Sequence, residues 1–133
     1  MLRIAEAVRG FEGTAQEETN GLGGDTAITY ASETAASRDW FLRPVGRAFL
    51  IESKARPGRC LQALPNRGDQ IPMPACNPNV PTQLWVFGAV GDKYVIAELV
   101  DGNRVIEAQA NAVPVVTWFR DGGPRQLWTM KRP

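Results

Sequence analysis

The sequence predicts an all-β domain in which roughly twelve short strands close on themselves in a threefold arrangement. Three observations lead there. Trp40, Trp85 and Trp128 lie 45 and 43 residues apart, a period that marks repeated supersecondary units sharing a core. Two of the three close the same tripeptide, Gln83-Leu84-Trp85 and Gln126-Leu127-Trp128, and Arg38-Asp39-Trp40 is a degenerate version. The match also continues downstream. Val45, Gly46, Phe49, Leu50 and Ile51 follow Trp40 at the offsets at which Val90, Gly91, Tyr94, Val95 and Ile96 follow Trp85. The whole of residues 1–133 therefore reads as one domain of three repeats of about 44 residues, near 1–44, 45–88 and 89–133.

Each unit holds about four strands, cut by Gly, Pro and Asn at intervals of roughly 8–12 residues. The stretch before each tryptophan aligns as Thr26 to Tyr30, Ile71 to Ala75 and Pro114 to Trp118, counted back from Trp40, Trp85 and Trp128. Upstream, Gly58-Arg59-Cys60-Leu61-Gln62-Ala63 matches Asn103-Arg104-Val105-Ile106-Glu107-Ala108, with Gly13 to Glu17 in that place in the first unit. Phe49-Leu50-Ile51 and Tyr94-Val95-Ile96 are β-branched and aromatic runs suited to a sheet. The strand expected after Trp128 is supplied by Leu2 to Glu6, which closes the sheet and protects its edges.

Composition removes several function classes. The net charge of +1 comes without a block of like charges, which leaves no electrostatic case for nucleic acid or an anionic membrane. No apolar run approaches the ~20 residues of a membrane span. Charges at Arg3 and Glu6 interrupt what a signal peptide would need, so the chain is either a trimmed secreted protein or one that stays inside the cell. The sequence contains no histidine, the commonest general base and a frequent metal ligand. With no phosphate loop and no metal-ligand spacing either, a catalyst, a metal site or a cofactor is not expected. Cys60 and Cys76 stand either as two buried thiols or as a bridge across the turn-rich Pro65-Asn66-Arg67-Gly68-Asp69; the bridge is the expectation, and it implies an oxidising compartment.

Taken together, Gly-x-Cys-Leu, a second cysteine after an apolar strand, and two Gln-Leu-Trp closures resemble the Gln-x-Trp repeat of ricin-B-type β-trefoil lectins. The resemblance spans the chain, clearest in the second and third units. A weaker likeness, over Ala48 to Leu61, is to the trefoil subunits of cytolethal distending toxins. In the lectin family the closing tryptophans are core residues, which implies a structural role for Trp40, Trp85 and Trp128.

That resemblance implies a shallow sugar site made of a carboxylate after the Cys-Leu position, an aromatic platform on the third strand and polar groups just before the closing tryptophan. The third unit comes nearest, with Glu107 as carboxylate, Trp118 as platform, and Asp121, Arg125 and Gln126 beside them. Arg125 stands where the family has Asn. A secondary site would use Glu17 and Tyr30. The second unit offers Gln62 and Ala75 at those places and reads as structural. The expected function is non-catalytic recognition of a glycan or glycoprotein. The competing expectation is a protein-binding trefoil, a protease inhibitor or a toxin's receptor-binding subunit, with degenerate sugar pockets. Arg67-Gly68-Asp69 matches an integrin-type tripeptide, a triplet common by chance.

Overall fold

A computed structural model describes residues 2–6, 12–17, 25–30, 39–109 and 113–131, and the side chains of Ile4, 39–109 and 114–130. Its strands are β1 (Leu2–Glu6), β2 (Glu12–Glu17), β3 (Asp25–Tyr30), β4 (Asp39–Val45), β5 (Ala48–Ser53), β6 (Trp85–Val90), β7 (Lys93–Glu98), β8 (Arg104–Glu107), β9 (Val113–Pro114), β10 (Val116–Phe119) and β11 (Trp128–Lys131).

Two tight hairpins show how the sequence sets the local structure. Val45 pairs with Ala48 across Gly46-Arg47, and Val90 with Lys93 across Gly91-Asp92. Both turns place glycine at φ 62°, where a side chain would be strained. The hairpins β4–β5 and β6–β7 join edge to edge where Phe49 faces Trp85. Strand β11 then joins β7, and β1 joins both β11 and β4. Six strands therefore close into a ring with no free edge, and β1 is the strand that closes it.

Register places the three tryptophans alike. Trp40 lies opposite Leu2 and Ser53, Trp85 opposite Phe49 and Glu98, and Trp128 opposite Tyr94 and Glu6. All three are buried, with at most 2% of their surface exposed, in one cluster with Ile4, Ile51, Ile96 and Ile106. The indole N–H of Trp85 donates to the Leu61 carbonyl and that of Trp128 to the Ile106 carbonyl, each at 3.1 Å. Between Trp40, Trp128 and the isoleucines remains a void of about 30 Å³, lined by apolar side chains.

Outside the ring, β2 pairs with β3 and β8 with β10. The corresponding place between residues 59 and 75 holds isolated bridges in place of named strands, Arg59 to Ala75, Glu52 to Cys60 and Gln70 to Val116. Pro65, Pro72 and Pro74 explain this, since a proline has no N–H to give a ladder. The strands named among the described residues thus number eleven, and neither cysteine lies in one. Cys60 and Cys76 form a disulfide that fastens the proline-rich segment instead.

Candidate functional site

The site is built on two short 3-10 turns, Pro81–Gln83 and Pro124–Gln126, each opened by proline and each leading through leucine into a closing tryptophan. The turn aims the glutamine inward, and both glutamines are buried. Gln83 accepts the Asn77 N–H at 2.8 Å and donates to the Ala75 carbonyl at 3.0 Å and to Gln62 Oε1 at 3.1 Å. Gln126 repeats the pattern. It accepts the Asp121 N–H at 3.0 Å and donates to the Phe119 carbonyl at 2.7 Å and to Glu107 Oε1 at 3.2 Å. Gln126 therefore has both ends of its amide committed within the protein. Its effect on a ligand is indirect: it fixes Glu107 and the loop after Phe119.

The same bonds correct the alignment of the third unit. Ala75 and Phe119 occupy one structural position: each accepts from the buried glutamine, and each pairs with the arginine of its unit, Arg59 or Arg104. Trp118 corresponds to Pro74 instead, since Trp118 faces Val105 as Cys60 donates its N–H to Pro74. The reason is loop length. Ala75 lies eight positions before its glutamine and Phe119 seven before Gln126, so counting back from the tryptophan slips by one.

Phe119 is 51% exposed, while Trp118 is half-buried. The Trp118 ring lies against the turn of the second unit; a Cβ on Gly68 would sit 3.3 Å from its Cζ3 atom. The Arg67 guanidinium carbon is 4.9 Å from the Trp118 ring centroid and 4.7 Å from that of Phe119. The Arg67-Gly68-Asp69 turn is thus folded back onto β10. Gly68 donates to the Thr117 carbonyl, Thr117 to the Asp69 carbonyl, and Asp69 Oδ2 accepts the Asn66 N–H.

Arg104 anchors that turn from the other side. Its guanidinium donates to the carbonyls of Leu64 and Pro65 and to Thr117 Oγ1, and its Nε lies 2.9 Å from Glu98 Oε2. Burial pushes the Glu98 carboxyl above its ordinary value, Asp101 adds to the rise and Arg104 opposes it.

Glu107 is partly exposed at the rim, its second oxygen accepting from Gln109 Nε2 at 3.1 Å. Asp121 is exposed and caps the loop by accepting the Gly123 N–H at 2.7 Å, while Gly122 supplies a φ of 76°. Arg125 is exposed, with its carbonyl accepting from Ala108. The structure therefore gathers the Glu107 carboxylate, the Asp121 N–H and the Phe119 carbonyl around the Gln126 amide, with exposed Arg125 next to it in the chain. The sequence reading does not include Phe119 or Gln109, which the structure places against Gln126 and Glu107. The shared pattern Pro-x-Gln-Leu-Trp, used as the anchor with unequal loops allowed, would have found Phe119.

In the first unit, backbone register separates the expected pair. Glu12 stands opposite Ala5 as Val105 stands opposite Ala97 and Cys60 opposite Glu52. Two residues on, Thr14 therefore takes the place of Gln62 and Glu107. Glu17 lies farther along, opposite Asp25, while Tyr30 lies opposite Glu12 at the other end of the hairpin. The side chains of Glu17 and Tyr30 are outside the described residues. Among the described residues no three or more His, Cys, Asp or Glu side chains gather as metal ligands, and no helix is long and apolar enough to cross a membrane.

No protein-family profile and no curated protein matches the chain. Solved structures do. The chain superposes on the BEL β-trefoil with a TM-score of 0.79 at 14% identity, covering 98% of this chain and 90% of the other. A Macrolepiota procera ricin B-like lectin, solved with lactose, gives 0.79 at 17% identity over 100% and 96% of the two chains. The C-terminal half of an earthworm R-type lectin, solved with GalNAc, gives 0.70 at 23% identity over 98% and 96%. The chain also matches 17% of the length of a mosquitocidal holotoxin, with a TM-score of 0.86 at 16% identity. The chain has an all-β, β-trefoil fold, and its structural neighbours include ricin B-like lectins.

Proposed function

We propose that this domain is a non-catalytic glycan-binding module whose site lies on the third unit. One observation carries the reading: the Glu107 carboxylate is held by two amides, Gln126 and Gln109, and Gln126 also ties it to the backbone carbonyl of the half-exposed Phe119. An aromatic face takes the apolar side of a pyranose, and a fixed carboxylate accepts its hydroxyls. Each Glu107 oxygen accepts one bond from the protein and keeps a lone pair for a ligand. Asp121 and Arg125 add polar contacts at the rim, Gln126 holds the carboxylate in place, and Arg67 links the Trp118 and Phe119 rings. The lactose and GalNAc in the neighbouring lectin structures support a galactose-type sugar as the ligand class.

The fold reading goes with it. The domain consists of three repeats near 1–44, 45–88 and 89–133, about twelve strands in all, supported by the like registers of Trp40, Trp85 and Trp128. The disulfide supports a protein that works in an oxidising, extracellular setting.

A site this shallow binds weakly, on the order of micromolar to millimolar. The test is a glycan array followed by calorimetry on the wild type, Phe119→Ala and Trp118→Ala. Phe119→Ala should abolish binding with an unchanged thermal midpoint, because the ring is exposed. Undiminished binding by Phe119→Ala would remove the site from this unit. A wild type that binds no glycan would end the lectin reading in favour of a protein partner.

A further inference from the structure

We propose that Arg67, contributed by the second unit, selects glycans that carry a carboxylate or sulfate beside the sugar stacked on Phe119. The inference rests on the glycan-binding reading of the third unit and adds the charge of the ligand.

A guanidinium has two kinds of surface, a pair of faces that stack on rings and an edge of N–H donors that forks onto an anion. At Arg67 the guanidinium carbon lies within 5 Å of the ring centroids of both Trp118 and Phe119. The backbone beneath is fixed by the Gly68–Thr117 and Thr117–Asp69 hydrogen bonds and by the grip of Arg104 on Leu64 and Pro65. An exposed arginine is thus already in place, and little freedom remains for a ligand to remove.

Its N–H edge is open to an incoming acceptor. Among the described residues the ion pairs are Arg43–Glu52, Lys54–Asp39, Lys93–Asp92 and Arg104–Glu98, and none involves Arg67. Asp69, the acid of the same turn, is turned toward the Asn66 N–H. Arg120 and Arg125, both exposed on the loop after Phe119, raise the local positive potential without an ion pair among those residues. Glu107 and Asp121 give the site a polarity. Hydroxyls belong at the Glu107 end and an anionic substituent at the Arg67 end, since the reverse would set two carboxylates together. Charge-assisted bonds to a planar fork are roughly twice as strong as neutral ones, which is enough for about a tenfold preference.

The experiment compares lactose, sialylated lactose and lactose 6-sulfate by calorimetry on the wild type, Arg67→Ala and Arg67→Lys. Arg67 is exposed, so both variants should fold. The wild type should bind at least one acidic ligand about tenfold more tightly than lactose, and the arm that gains identifies the carboxylate or the sulfate. Arg67→Ala should lose that preference and keep lactose affinity within about twofold, and Arg67→Lys, a charge without a fork, should fall between. Equal wild-type affinity for neutral and acidic ligands overturns the role of Arg67 while leaving the glycan site intact. So does a preference that survives in Arg67→Ala. A wild type that binds none of the three overturns both readings together.

Discussion

Gln83 and Gln126 show how one residue type can mark a fold without touching a ligand. Each amide satisfies a backbone N–H, a backbone carbonyl and a side-chain oxygen, so its loop cannot be redrawn without leaving buried polar groups unpaired. The tryptophans next to them are legible in the sequence because a core position tolerates few alternatives to so large a ring. Removing Trp128 should cost about 3–5 kcal/mol and unfold the domain near ambient temperature, as measured by denaturant titration. Trp118→Ala should cost distinctly less, since that ring is half-buried, but it should also release Arg67 and weaken any acidic ligand. Equal destabilisation by the two substitutions would place Trp118 in the core. Phe119 was not legible, because its place depends on a loop one residue shorter than its counterpart. Loop length is invisible to a count taken back from a fixed residue. Arg67 was hidden for a different reason: it lies 51 positions before Trp118, and only the turn over β10 brings them together.

The hairpins were legible as elements because glycine turns and β-branched runs act locally. The proline-rich stretch from 59 to 76 was not, since the same prolines that mark turns also remove ladder donors. There the disulfide takes over from the missing strand pairing. It spans 16 residues, and opening it should cost about 3 kcal/mol in the chain-entropy model, seen as a lower thermal midpoint after reduction. An unchanged midpoint would mean that the prolines alone hold the segment. Strand β5 adds a second tie to this region through Glu52, which pairs with Arg43 and accepts the Gly58 N–H. Burial raises the Glu52 carboxyl, but the Arg43 hydrogen bond, the Gly58 N–H and the Arg43 charge outweigh it and leave it below its ordinary value. A carboxylate lowered by folding stabilises above its unfolded value, and that contribution is lost as pH falls through the folded one. Glu52→Gln should therefore flatten the acid limb of the stability–pH curve below about pH 4.5. A limb as steep as the wild type's would show that Glu52 does not govern it.

At the scale of the molecule, β1 pairs with β4 on one side and β11 on the other, so the chain's first strand completes the ring. Contacts this distant in sequence make the ring all-or-none, since the outer edges of β4 and β11 stay uncovered until β1 arrives. Deleting residues 2–6 should abolish cooperative unfolding and give a species that associates through its exposed edges, measured by calorimetry and sedimentation. A monomer with a sharp transition would mean that five strands suffice. Closure was legible in the sequence because the repeat is one strand short at its end and one strand long at its start.

The unequal burial of the four indoles gives the molecule an optical consequence. Trp40, Trp85 and Trp128 sit in a carbon-lined interior and should emit toward the blue, beyond the reach of dissolved collisional quenchers. Trp118 faces the rim beside a fixed positive charge, which draws iodide toward it. Iodide should therefore extinguish about one quarter of the folded-state emission, leave a blue-shifted remainder, and be shut out when a glycan covers Phe119. The chain carries its own fluorescent gauge of site occupancy, with no label attached.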